Sequence, residues 1–403
     1  MFNRHNAAAI LAVLAFSVAL RAQDFKIGTR TVQVHGYGSQ GFAYTNNNNF
    51  LTMNTSHGSP ALTEAALNLS IPITDKFRVG GQGYMRKIGS LDDFRPQLDW
   101  AYGDYKFAPW FGVRAGKVKT ALGLYNDTQD MEFLHTWALL PQGIYATDLR
   151  STYIAHTGGD LYGRIPLKKL GKLDYTAYAG LRSFDNRGGY YYYSEDAGFN
   201  ILKINGRTTG WDLKWTTPIK GLMLGTSWVN NTMHRAGAYT TLAQQGNSYT
   251  IDADPERPWV GYGDYSRGKW EFSSEYRNTN QFTDIVQIVK SVPGKPSHRN
   301  KCTEAWFVTA AYRVTPKLQI GYYHSNLHLD NPRVPTNLHS NHIRDEVVAG
   351  RYDINRFWTL KAEGHFMDGY GDTYFAQGFY TRYNKTGLKP KTNLLVLRGS
   401  FNF

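Results

Sequence analysis

Trp358-Thr359-Leu360-Lys361-Ala362-Glu363-Gly364-His365-Phe366 decides the fold. Trp358, Leu360, Ala362, Gly364 and Phe366 share one parity; Thr359, Lys361, Glu363 and His365 share the other. A period of two sets these groups on opposite faces of a strand. Ala65 to Ile73 repeats the pattern: Ala65, Leu67, Leu69, Ile71 and Ile73 alternate with Ala66, Asn68, Ser70 and Pro72. So does Lys172 to Arg182, where Leu173, Tyr175, Ala177, Ala179 and Leu181 oppose Lys172, Asp174, Thr176, Tyr178 and Arg182. Each run approaches the ~9–11 residues that a tilted strand needs to cross a bilayer.

Working outward, such segments begin near Val32, Leu62, Lys76, Pro96, Trp110, Thr152, Lys172, Arg207, Lys220, Trp259, Lys269, Thr303, Lys317, Arg344, Arg356 and Leu394. Their connectors fall into two classes. Thr74 to Lys76, Phe107 to Pro109, Leu167 to Gly171, Pro218 to Gly221, Arg267-Gly268, Thr315 to Lys317 and Asp353 to Arg356 are short turns. Asp185 to Asn205, Asn231 to Glu256, Asn278 to Cys302 and Gly369 to Thr392 are long and polar. Short and long alternate, as an antiparallel outer-membrane barrel with short periplasmic turns requires. A soluble sandwich or propeller has no reason to keep that order. The expected fold is an all-β transmembrane antiparallel barrel of sixteen strands over residues 23–403.

Composition agrees. Aromatic residues make up 15% of the 403-residue chain, with 28 Tyr, 21 Phe, 10 Trp and 40 Gly, yet mean hydropathy is only -0.47. Strands that face lipid with every second residue reconcile the two values, and Tyr and Trp suit the headgroup levels. Arg4, the apolar run Ala7 to Leu20 and the small Ala22 predict a signal peptide over residues 1–22. The run falls short of the ~20 residues of a spanning helix. Cys302 is the only cysteine, so no internal disulfide and no thiolate metal cluster is expected. The net charge of +13 points, on an exported chain, to a lumen that concentrates anions rather than to nucleic acid.

At the C-terminus, Leu395, Leu397, Gly399, Phe401 and Phe403 alternate with Val396, Arg398, Ser400 and Asn402. Closing the sheet leaves no unpaired edge in lipid. The terminal Phe resembles the assembly signal of bacterial outer-membrane proteins, which implies the barrel-assembly machinery as a partner.

The third long connector, Lys119 to Arg150, is the apolar one, with Met131, Phe133, Leu134, Trp137, Leu139 and Leu140. Such a loop is unfavourable in water and is expected to fold inward and narrow the lumen. Packing at a subunit interface is the alternative. Around it, Val113-Arg114-Ala115-Gly116-Lys117-Val118-Lys119-Thr120, Leu122-Gly123-Leu124-Tyr125-Asn126-Asp127 and Leu139-Leu140-Pro141-Gln142-Gly143-Ile144-Tyr145 resemble the phosphate-selective porin O and P family. The match covers about forty residues. It implies a trimeric, sixteen-stranded outer-membrane porin with basic residues along an inward third loop and the adjacent wall. Arg114, Lys117 and Lys119 are the positions carried over, although Leu122 to Leu149 contains no lysine.

Parity adds further candidates. Phe77, Val79, Gly81, Gly83 and Met85 take the lipid side of one strand, so Arg78, Gln82, Tyr84 and Arg86 point inward. Arg114, Arg182, Lys361 and Arg398 fall on polar faces, whereas Lys117 and Lys119 share the outward parity. Arg78, Arg86, Arg114, Lys117, Lys119, Arg150, Arg182 and Lys361 are therefore the candidate pore-lining, anion-binding residues; guanidinium groups hold phosphate or carboxylate in bidentate fashion. The alternative is that they are wall residues paired with Glu363, Asp99 or Asp174. The expected function is passive diffusion of small, mainly anionic solutes, with phosphate selectivity implied by the resemblance. The setting is outer-membrane lipid and lipopolysaccharide.

Other motifs carry less. Gly36-Tyr37-Gly38-Ser39-Gln40-Gly41 matches a dinucleotide fingerprint but sits inside an alternating segment instead of opening a helix. His324, His328, His339 and His342 share one outer connector by this reading and are expected to be solvated, not metal-binding. Glu271 and Glu275 share a face without a partner acid. No local motif marks a nucleophile, so neither catalysis nor a cofactor is expected. A sugar channel, with Tyr190 to Tyr193 stacking on pyranose rings, and a barrel hydrolase are the rival functions.

Overall fold

Alternation of apolar and polar residues pairs neighbouring segments edge to edge, and the sheet closes on itself. The computed structural model describes residues 23–27, 30–241, 244–330, 338–371 and 378–403; the expected signal peptide lies outside them. Sixteen long strands form the wall. They are β1 (Arg30–Thr45), β2 (Ser59–Pro72), β3 (Phe77–Ile88), β4 (Gln97–Ala108), β5 (Phe111–Lys119), β6 (Ala155–Pro166), β7 (Lys172–Arg182) and β8 (Arg207–Thr216), followed by β9 (Leu222–Tyr239), β10 (Ser248–Arg267), β11 (Trp270–Val289), β12 (Ser297–Arg313), β13 (Leu318–Asp330), β14 (His342–Asp353), β15 (Trp358–Gly369) and β16 (Lys391–Asn402). Each pairs antiparallel with its neighbours, and β16 returns to β1 with Leu397 opposite Phe42 and Phe401 opposite Gly38. Three short strands decorate this ring: Gln23–Ile27 on β1, Phe199–Asn205 on β9 and Val292–Pro293 on β11. No helix among the described residues is long and apolar enough to cross a membrane.

Burial is inverted relative to a soluble protein. On β15, Leu360 and Phe366 are exposed on the outer wall while Lys361, Glu363 and His365 are buried within. Leu67, Leu98, Leu161, Leu181, Ile320 and Val348 likewise face outward. Lipid covers these side chains, and strand closure satisfies the backbone behind them. Near the short turns, outward rings gather into a belt: Tyr105 and Phe107 lie 4.6 Å apart, and Trp270 and Tyr312 also 4.6 Å. This is where amphipathic rings meet headgroups.

Two parts of the sequence reading need correction. Asn231 to Glu256 and Asn278 to Cys302 are not connectors for most of their length, because β9 to β12, each 17 to 20 residues long in all, extend into them. Beyond the bilayer the outer face of β9 turns polar, at Asn230, Thr232 and His234, while the inner face of β9 and β10 buries Met233, Tyr239, Tyr249 and Ile251, so the apolar-out pattern ends although the backbone ladder continues. For the same reason β10 begins at Ser248, well before Trp259, and His324 and His328 lie on β13 rather than in a loop.

Candidate functional site

Residues 120–154 leave the wall between β5 and β6 and fold into the barrel. The base is closed by Thr120 N–H donating to Ile154 O (3.0 Å). The Asn126 amide donates to both Thr120 O (2.7 Å) and Tyr153 O (3.1 Å). Of the apolar residues that predicted inward folding, Trp137, Leu139 and Leu140 are buried, Met131 and Phe133 pack against Tyr37, Ala66 and Tyr84, and Leu134 stays exposed. Trp137 meets Tyr323 edge-on at 4.9 Å, and Tyr125 stacks parallel to Phe307 at 6.1 Å. Each such burial stabilises docking by about 1.5–3 kcal/mol, enough to outweigh the ordering of its own side chain.

Polar contacts fasten the loop on almost every side. On the β9–β11 wall, Gly123 N–H donates to Ser227 Oγ (2.9 Å) and Leu124 N–H to Glu275 Oε2 (2.8 Å), while the Tyr145 hydroxyl also donates to Glu275. Gly123 has φ +68°, and a Cβ there would lie 2.6 Å from Glu275 Oε1; glycine alone permits both the turn and the approach. On the opposite wall, Lys361 Nζ donates to Glu132 O (2.7 Å) and Trp137 O (2.9 Å), and pairs with Glu132 Oε1 at 2.5 Å. Glu363 accepts from Ala138 and Leu139 N–H. Arg398 donates to Ala138 O (2.9 Å), Arg351 to His135 O (2.9 Å), Arg277 to Ile144 O (3.2 Å) and Arg86 to Thr147 O (2.7 Å). Wall guanidinium groups thus meet loop carbonyl oxygens that would otherwise be buried without donors.

The loop acids complete the fastening. Asp130, fully buried, accepts from Lys119 Nζ (2.7 Å), the Gln82 amide (2.7 Å) and the Tyr37 hydroxyl (2.9 Å). Burial pushes its pKa up, but Lys119 and Arg150 hold it below the usual carboxylate range. Glu132 is shifted the same way, against its own burial, by Lys361 and Arg398. His135 is held neutral: burial lowers its pKa to about 4, against the opposing pull of Thr128 O.

The sequence-derived candidates land as follows. Arg86 pairs with Asp92. Arg150 grips Asp99 in bidentate fashion (3.0 and 2.7 Å) over the Tyr84 ring. Arg182 pairs with Glu256 at 3.3 Å, Lys361 with Glu132, and Lys119 with Asp130. Arg114 lies between the rings of Tyr162 and Tyr102, 4.0 Å from Asp104. Lys117 takes the outward parity of β5, opposite Ala101, and donates to Leu98 O. Arg78 is exposed on the inward parity of β3 near the periplasmic turn. Parity shows which way a side chain points but not its partner, so the sequence missed how loop carbonyls and acids occupy these cations. Glu275, which anchors the loop, was noticed only as a lone acid.

Spaces remain in the lumen beside the loop and on its periplasmic side. Beside the loop they are small, about 90 Å³ near Tyr145, Tyr153 and Arg277 and about 40 Å³ near Glu132, Trp137 and Arg398. On the periplasmic side a vestibule of about 830 Å³ is lined by Lys106, Arg114, Lys214, Asp160, Asp212 and Tyr162, among others.

A closed sixteen-stranded wall with one loop folded across it defines the class: a barrel of the bacterial outer-membrane porin type. No family model and no curated protein sequence matches the chain. Among solved structures it is similar to outer-membrane expressed OmpT of Vibrio cholerae, at 10% identity and TM-score 0.60 over 94% of this chain and 100% of that one. The outer membrane channel DcaP of Acinetobacter baumannii matches at 12% identity and TM-score 0.55, over 95% and 100% of the two chains. An anion-selective porin from Comamonas acidovorans matches at 11% identity and TM-score 0.54, over 93% and 100%. At these identities the likeness concerns the fold.

Proposed function

We propose that the protein is a passive outer-membrane porin for small hydrophilic solutes, with an anion preference set in its periplasmic vestibule. The observation that carries this reading is the fastened loop. It leaves a wide vestibule on one side and narrow spaces beside itself, which is the form of a size-limited diffusion path. Anion preference rests on Lys106, Arg114, Lys119, Arg164 and Lys214, which line the vestibule beside Asp127, Asp160, Asp174 and Asp212, and on the exposed Arg78 of β3. The resemblance around Arg114 and Lys119 favours phosphate among the anions. Assembly as a homotrimer within lipid and lipopolysaccharide, after insertion by the barrel-assembly machinery, belongs to the same reading.

The sugar reading is weaker, because the tyrosine run forms a short helix, Gly189–Asp196, in which Tyr190 packs on Phe184 and reaches Met233. So is the hydrolase. Thr120, His156 and Asp160 form a hydroxyl–imidazole–carboxylate chain (3.1 and 3.0 Å), but all three are buried and His156 stacks under Tyr178. The space beside Thr120 is about 10 Å³, too small for a substrate.

The test is the reversal potential of the purified protein in a planar bilayer across a KCl gradient, repeated with phosphate. Anion selectivity that falls in R78Q/R114Q supports the reading, and block of chloride current by phosphate supports its phosphate form. Cation selectivity overturns the anion preference, and absence of conductance overturns the porin.

A further inference from the structure

We propose that His339, His342 and Asp368 form a divalent transition-metal site at the outer mouth of the barrel. His339 belongs to the connector between β13 and β14, His342 opens β14, and Asp368 stands near the end of β15. Their prospective ligand atoms all lie within 4.8 Å of one another. His339 Nδ1 is 3.2 Å from Asp368 Oδ1, and His342 Nε2 is 3.4 Å from Asp368 Oδ2. A tetrahedral zinc centre with spokes of ~2.0–2.1 Å has edges of about 3.3–3.4 Å. The His339 contact fits ligands that share an ion, and His342 Nε2 is hydrogen-bonded to the other oxygen of the same carboxylate, so Asp368 faces both imidazoles.

The other exposed imidazole–carboxylate pairs differ. His234 with Asp252, His298 with Asp284 and His324 with Glu346 approach to 2.5, 2.6 and 2.7 Å, as hydrogen-bonded partners do. In the three-residue cluster the shorter contact, from His339 to Asp368, is not a hydrogen bond. Both of its atoms, His339 Nδ1 and Asp368 Oδ1, are closed to solvent without a hydrogen-bond partner. His342 is itself buried, 3% exposed. Buried polar atoms left unpaired are costly, and an ion between them removes the cost.

The backbone holds the three groups in place. Tyr370 N–H donates to His339 O (2.8 Å) and Gly371 N–H to His342 O (3.0 Å). Gly369, with φ +89°, carries the chain against His342, where a Cβ would lie 2.1 Å from the carbonyl oxygen. Two imidazoles and one carboxylate are borderline ligands, suited to Zn²⁺, Ni²⁺ or Cu²⁺ rather than to Ca²⁺ or Mg²⁺. A water completes the fourth position, and the ion joins the connector after β13 to the root of the one after β15.

Titration of the full chain, refolded in detergent, with ZnCl₂ in a calorimeter tests this. One Zn²⁺ per chain is expected, with affinity falling by more than about tenfold in H339A and in H342A but unchanged in H298A and H324A. H339A removes a connector residue outside the strand ladder, so it tests the site even where H342A fails to fold. Co²⁺ in place of Zn²⁺ gives the visible absorption of a tetrahedral centre. No Zn²⁺ binding, or binding that persists in H339A, overturns the proposal.

Discussion

Arg78 and Arg86 share a strand and a face, yet they stand in different worlds. Arg86 is 2% exposed, paired with Asp92 and donating to Thr147 O of the loop. Arg78 is exposed, and Asp104 across the ladder from it accompanies Arg114 instead. A similar division runs through the lumen. Arg86, Arg277, Arg351, Lys361 and Arg398 fasten the loop, whereas Lys106, Arg114 and Lys214 border the vestibule. The lesson is that a barrel's formal charge says little about its permeability. A cation facing a loop carbonyl is structural, and one facing water sets the field a solute meets.

Removing the loop should break the comparison outright. Replacing residues 124–147 with a short Gly-Ser linker is expected to raise single-channel conductance several-fold in planar bilayers. Unchanged conductance would mean that solutes already bypass the loop. Next in size is the buried pair. K361A leaves Glu132 without its ammonium and is expected to cost about 3–5 kcal/mol of docking stability, seen as current flicker and a lower unfolding temperature. K361M/E132L removes both charges and should recover part of that loss, the rest persisting because Glu132 O and Trp137 O lose their donor.

Acid should loosen the loop through His135. Its pKa in the docked loop, about 4, lies below its ordinary 6.5, so the undocked loop binds the proton more tightly. Docking is therefore fully stable above pH 6.5 and weakens as pH falls towards about 4. Thr128 O, Tyr125, Lys361, Glu132 and Asp130 surround the imidazole. The two carboxylates, held below their usual range, yield only in stronger acid. Conductance that rises over this window in wild type and stays flat in H135N is the expected record. The smallest effect sharpens the comparison: R78Q should shift the chloride-to-potassium permeability ratio modestly and leave stability alone. R86Q should do the reverse, because buried Asp92 then loses its guanidinium and keeps the Gln97 amide.

Much of this was legible in the chain. Alternation in Trp358–Phe366 and the order of short and long connectors led to sixteen strands, and the apolar content of Trp137, Leu139 and Leu140 led to the inward loop. Alternation failed where lipid stops marking one face, hence the unread upper halves of β9 to β12. It also failed for the site. Glu132 with Lys361, and Asp130 with Lys119 and Arg150, are partnerships between loop and wall that only the folded loop creates. The histidines misled for the same reason: His324 turned to Glu346, while His339 from the connector and His342 from β14 met Asp368 of β15.

A thin-walled tube yields to sideways pressure by flattening, and a wide ring of strands has little to resist this beyond its own hydrogen bonds. The loop runs from Ser227 and Glu275 on one side to Lys361, Glu363 and Arg398 on the other. It is a tie-rod across the diameter. The segment that narrows the passage therefore also keeps its cross-section round, and loosening it changes the shape of the tube as well as its bore.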